Sequence, residues 1–222
     1  MVSTPNKRPS LVGLVIALND SLSEAGVGHG FGGALALAYY TSQPRTTSDI
    51  DINIASSIEM VEEVFKVLPH AISWDTASIA QCRRDGQIRL WCGQPQKGIP
   101  VDLFFPQHEF HESVAAAVSM HPFGTEEYLI PIISAAHLAV FKALFNRPKD
   151  WVDISEMLLA GSVDVLEVDL WLERLLGTRD EVLQRFRQLA DNGAVKERNV
   201  RIHPKVDPII PWQSLHRGTG LS

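Results

Sequence analysis

Two glycines, Gly32 and Gly33, are separated by fifteen residues from the triplet Asp49-Ile50-Asp51. Residues 49–54 alternate polar with Ile, the period of a half-buried strand, so Asp49 and Asp51 are expected on one face. Two carboxylates placed this way repel unless a cation lies between them, and a hard ion such as Mg²⁺ suits their oxygens. The alternative is a solvated strand end. Gly32 and Gly33 precede an Ala- and Leu-rich helix over residues 34–40. A glycine bend lets backbone approach an anion, and the helix start adds N–H groups and a positive dipole end. A polyphosphate at the bend and a metal on the carboxylate pair are the parts of phosphoryl or nucleotidyl transfer.

Other side chains could complete such a site. Asp102 interrupts an apolar run over residues 99–105. A carboxylate there must be paired or bound to metal to offset its burial. It is a candidate third metal ligand and proton acceptor, with a structural ion pair as the alternative. Lys142 is the one charge in the apolar helix expected over residues 134–145, and an ammonium there needs an anionic partner. The alternative for Lys142 is a snorkelling side chain whose stem lies on apolar surface. Asp150 and Asp153, three apart, share a face of the next helix, where their alternative is a pair of first-turn helix acids. Thr47 and Ser48 adjoin the carboxylate pair, where their alternative is an ordinary loop role. His108 and His111 lack a third ligand nearby and read as structural.

The elements that must position these residues follow from periodicity and turn signals. Helices are expected over residues 11–25 with Ser10 as N-cap, 34–40, 58–68 and 110–120. Strands are expected over residues 49–54, 99–105 and 128–133. Asp85-Gly86 between residues 78–84 and 87–91 reads as the two-residue turn of a β-hairpin. That register puts Cys82 and Cys92 on opposite faces, so both are expected as free thiols. Arg83, Arg84 and Arg89 would crowd that hairpin, as a solvated tip or a contact for a polyanion. From Ser134 the pattern is helical over residues 134–145, 149–159, 164–176 and 178–192, the last with a Thr178/Glu181 capping box. The expected fold class is α+β: a mixed sheet with flanking helices over residues 1–130, then a helical bundle over residues 131–222.

Composition narrows the class. The 222 residues are 45% hydrophobic and 21% charged, which excludes global disorder and a collagen-like chain. No apolar run approaches the roughly 18–20 residues of a membrane span, and residues 1–18 do not read as a signal peptide. Two cysteines without a spaced ligand cluster suit a reducing cytoplasm. The formal net charge is −6, so an anionic partner would need a local basic patch. Residues 193–222 carry Lys196, Arg198, Arg201, Lys205 and Arg217 against Glu197 and Asp207, a mild excess for which a solvated tail is the plainer reading and a basic patch the alternative.

The glycine pair running into Ala34-Leu35-Ala36-Leu37, the Asp49-Ile50-Asp51 triplet and the strand around Asp102 resemble the minimal nucleotidyltransferase fold of the DNA polymerase β superfamily. Lys142 followed by Arg147-Pro148-Lys149-Asp150 and Asp153 is similar to the AbiEii nucleotidyltransferase group, which includes the MenT toxins of type IV toxin–antitoxin pairs. The resemblance implies that Asp49 and Asp51 hold Mg²⁺, with Asp102 as a further ligand. It implies that Gly32 and Gly33 cradle a nucleoside triphosphate, with Thr47 and Ser48 beside it as contacts or as hydroxyls open to modification. Lys142 would meet the phosphates, and Asp153 would orient Lys142 or the nucleotide.

The expected activity is therefore transfer of a nucleotide from a triphosphate such as CTP to RNA, at the tRNA 3′ acceptor end. The protein would be a cytoplasmic toxin that inhibits translation, with a cognate antitoxin as partner and its site in the cleft between the two parts. The alternatives are a small-molecule or protein hydroxyl as acceptor, and a non-catalytic nucleotide-binding module resembling an antitoxin.

Overall fold

The computed structural model describes residues 10–197. Helix α1 (Leu11–Glu24) starts where the Ser10 hydroxyl accepts from the Gly13 N–H at 3.0 Å. Its buried Leu14, Val15, Leu18 and Leu22 follow the helical repeat. Strand β1 (His29–Phe31) leads into α2 (Gly33–Tyr40), and after a loop comes β2 (Ile50–Ile54). A 3₁₀ turn at Ile58–Met60 opens α3 (Val61–Val67), followed by the short β3 (Ile72–Ser73).

The expected hairpin at Asp85-Gly86 is not there. Residues Thr76–Asp85 form helix α4, and only then does β4 (Gln87–Cys92) begin. Asp75 caps α4 in a reciprocal box with Ser78, and Ile79 and Cys82 are buried one turn apart. Gly86 ends α4 with φ +66°. A positive φ serves a helix C-cap as well as a hairpin turn, so this dipeptide fits both. Cys82 and Cys92 are buried free thiols, although the hairpin register that suggested it does not exist.

Strand β5 (Ile99–Phe104) pairs antiparallel with β4 and parallel with β2. The helix expected over residues 110–120 stops early: α5 covers Glu109–Ala116, and β6 (Ser119–Phe123) and β7 (Thr125–Ile132) follow, joined through Gly124. The apolar run Val114 to Val118 is too short for periodicity to tell helix from strand. Among the described residues the sheet has seven strands in the order β3-β4-β5-β2-β1-β7-β6. Helices α6 (Ala135–Phe145), α7 (Pro148–Leu159), α8 (Val165–Leu176) and α9 (Glu181–Glu197) complete the described chain. Thr178 does not cap α9. The Asp180 carboxylate accepts from the Val182 N–H at 2.8 Å and takes that place.

Two compact units divide the chain. One comprises residues up to Phe31, Thr47–Ala115 and His121–Ile130; the other comprises Gly32–Thr46, Ala116–Met120 and Pro131 onward. The first is built on the sheet. Ile50, Ile52, Ile54, Val101, Leu103, Ile88 and Leu90 alternate onto its buried face. The period of two then places Asp51, Asp102 and Arg89 together on the opposite face. The second unit packs Leu37, Leu138, Ala139, Ile154, Met157, Leu172 and Phe186 into a helical core. Within it α2 is tied down by its last residue: the Tyr40 hydroxyl donates to the Ile133 carbonyl at 2.9 Å, and the Tyr40 carbonyl accepts from Ser162 at 2.8 Å. No described helix is long and apolar enough to cross a membrane. Residues 198–222 and the side chains of residues 193–197 lie outside the described ones, and the solvated tail or basic patch expected over residues 193–222 lies there.

Candidate functional site

In the sheet unit the candidate carboxylates form a row. Asp51 on β2 is the direct partner of Asp102 on parallel β5, and Asp102 is the direct partner of Arg89 on antiparallel β4. Such neighbours on adjacent strands lie about 5 Å apart, close enough for side chains to meet. Asp49 sits one residue before β2 and not inside it, as the alternation had suggested. It still belongs to the cluster, because the Arg89 guanidinium lies 3.9 Å from its carboxylate.

Arg89 makes a two-pronged contact with Asp102, donating from Nε at 2.7 Å and from a terminal nitrogen at 2.6 Å. The Asp102 side chain is only 13% exposed, so this pair accounts for its tolerance in an apolar strand. The fork on Asp102, and then the charges of Asp102, Asp49 and Asp51, push the Arg89 pKa above its ordinary value. Asp49 is held from the other side by Thr47, whose hydroxyl donates to its carboxylate at 2.7 Å. Removing Asp49 would therefore break contacts as well as relieve repulsion. Ser48 is exposed and adjoins Asp49 in sequence.

These residues fit a divalent ion. Asp49 and Asp51 offer hard carboxylate oxygens, and the row already gathers a cation, the guanidinium of Arg89, against its carboxylates. Both Asp102 oxygens accept from that guanidinium. Among the described residues no group of three or more His, Cys, Asp or Glu is gathered closely enough to hold a metal.

The helical unit holds a second charged set. The Lys142 ammonium is buried on α6 and donates to the Asp153 carboxylate of α7 at 2.6 Å. Asp153 also accepts from Arg45 at 3.1 and 3.3 Å. Burial pushes the Asp153 carboxyl pKa up, but the two cations outweigh it and hold it below the usual carboxylate range. Asp150, the other candidate partner, is occupied elsewhere. Its carboxylate accepts from the Arg147 side chain at 2.6 and 3.0 Å and from the Arg147 N–H at 3.2 Å, closing the start of α7.

The glycine bend is also in this unit. Gly32 is the N-cap of α2 and Gly33 has φ +55°, a backbone conformation that suits glycine. The opening N–H groups of the helix follow it, and they have no carbonyl ahead of them within the helix.

Two cations were not assigned to the site from sequence. Arg89 lies two residues into the strand expected over residues 87–91, but the expected partner of that strand was residues 78–84; its pairing with β5 beside Asp102 is what the sequence did not show. Arg45 had no local signal: it is one basic residue in a loop, and its partner is 108 positions away.

No known protein family and no curated protein matches the chain by sequence. Solved structures do match it in three dimensions. An antigenic nucleotidyltransferase-like protein from Paracoccidioides brasiliensis shares 15% identity, over 85% of this chain and 88% of that one, with a TM-score of 0.51. MenT4, a nucleotidyltransferase toxin from Mycobacterium tuberculosis, shares 15% identity over 86% and 85% with a TM-score of 0.45. The antibiotic-resistance factor ANT(2'')-Ia shares 12% over 85% and 96%, also at 0.45. The Paracoccidioides match carries the conclusion: this chain has a nucleotidyltransferase-like fold.

Proposed function

We propose that this protein is a divalent-metal-dependent nucleotidyltransferase that moves a nucleotide from a nucleoside triphosphate onto an RNA 3′ hydroxyl. One observation carries the reading. In a nucleotidyltransferase-like fold, Asp51 and Asp102 sit side by side on the sheet face opposite the core, and Asp49, one residue before β2, lies 3.9 Å from the Arg89 that Asp102 holds. Asp49 and Asp51 would hold Mg²⁺, which would neutralise charge on the triphosphate and on the attacking and leaving oxygens. Thr47 fixes one Asp49 oxygen through its hydroxyl. Lys142, aligned by Asp153, and the α2 start at Gly32 and Gly33 are proposed to contact the phosphates. In the proposed reaction the acceptor oxygen would bond to the α-phosphorus, the bond from that phosphorus to the oxygen bridging to the β-phosphate would break, pyrophosphate would leave, and the hydroxyl proton would pass to water.

The choice of tRNA as acceptor, of CTP as donor, and of a cytoplasmic toxin paired with an antitoxin rests on the resemblance of Lys142 to Asp153 and the upstream motifs. The test is incubation of the protein with total RNA and each triphosphate in turn, followed by sequencing of RNA 3′ ends. Nucleotides added to tRNA ends, with growth arrest on expression, are the expected result. Label appearing on protein or on an aminoglycoside instead would move the acceptor. No transfer to any of these would overturn the enzymatic reading.

A further inference from the structure

Arg89 occupies an unusual place for a cation. It lies in the same cross-strand row as the acidic residues proposed to bind a divalent ion. Its guanidinium is committed to both oxygens of Asp102 at 2.6 and 2.7 Å and stands 3.9 Å from an Asp49 oxygen. Asp102 is flanked by Arg89 on one side and by Asp51 on the other. As they stand, no three of these carboxylates are gathered to hold a metal; without Arg89, Asp102 would be released to turn toward Asp51 and Asp49 and become a third candidate ligand. With it, the third carboxylate is turned toward a fixed partner.

We propose that Arg89 is a positioning residue that withholds Asp102 from the metal, so that the divalent-ion set of this protein is the pair Asp49 and Asp51. The proposal rests on the metal reading of that pair given above. Two physical effects lead to it. The fork–fork geometry of guanidinium and carboxylate is among the stronger charge-assisted contacts, so Asp102 gives up much to leave it. A positive charge close to Asp49 also opposes a second cation on the same carboxylate. Arg89 therefore holds the pair's affinity for a divalent ion down while it keeps the metal-free row from repelling itself.

The experiment is a titration of the full-length protein with Mn²⁺ alone, read by the loss of free-ion paramagnetic resonance signal, with no nucleotide present. Asp49→Asn should lose the bound ion, which checks the underlying reading separately. Arg89→Ala should bind Mn²⁺ about tenfold more tightly than the unmodified protein, because a ligand is released and an opposing charge removed. Adding Asp102→Asn to Arg89→Ala should return the affinity to near its original value, which a merely structural role for Arg89 would not do. If Arg89→Ala does not melt cooperatively, Arg89→Gln takes its place in both comparisons. Affinity that is unchanged or weaker in the folded Arg89 variant, while Asp49→Asn still abolishes binding, overturns the proposal and leaves the metal pair standing. Binding that survives Asp49→Asn overturns both.

Discussion

Lys142 shows what single residues contribute. Its side chain is 5% exposed and its ammonium meets Asp153 at 2.6 Å. Breaking a buried ion pair from one side costs roughly 3–5 kcal/mol because the remaining charge is stranded. Here Arg45 stays on Asp153, so Lys142→Ala should cost less, about 2–3 kcal/mol in urea denaturation. Under the proposed function it should also raise the KM for the triphosphate; unchanged kinetics would remove Lys142 from the site. His29 is a second case. Burial drives its pKa down to about 4, with only partial opposition from the Val27 carbonyl. Below pH 6.5 the unfolded chain binds a proton at this position that the folded one refuses. Stability is thus complete above pH 6.5 and declines as pH falls toward 4. At pH 5 the His29 share of that loss is about 2 kcal/mol. His29→Gln should flatten the pH dependence between 7 and 5 by that amount, and equal slopes for the two proteins would contradict it. His137, lowered to about 4 by burial, adds a loss of the same sign in both.

At the scale of elements, the turn between α4 and β4 sets where Arg89 falls. Gly86 has φ +66°, and a Cβ there would run into the Gln107 side chain. Gly86→Ala should destabilise the protein by about 1–2 kcal/mol from the backbone alone, measurable as a lower melting temperature. A melting temperature that does not change would mean the helix end can relax. The same turn marks the limit of what local pattern reveals. The 3.6 and 2.0 periods correctly placed α1, α6 to α8 and the strands around Asp51 and Asp102, because long amphipathic helices and alternating strands carry their own signal. Asp85-Gly86 misled, since a left-handed glycine is shared by hairpins and helix ends. The carboxylate pair and Lys142 were legible as local anomalies, charges in apolar runs. The Asp102 partner was not: it depends on the register of β4 on β5, a pairing that no spacing within either strand encodes.

At the scale of the whole molecule, the nucleotidyltransferase-like fold and the residues point the same way, although sequence identity to the matched Paracoccidioides protein is only 15%. The net charge of −6 repels a polyanion at long range, so the RNA acceptor proposed above would have to be met by local cations. The central claim is that Asp49 and Asp51 hold the ion required for nucleotide transfer. The most direct test compares the unmodified protein with Asp51→Asn for incorporation of α-phosphate label from a nucleoside triphosphate into RNA, with Mg²⁺ and with chelator. The account predicts label only for the unmodified protein with Mg²⁺. Equal incorporation by a folded Asp51→Asn protein would contradict it.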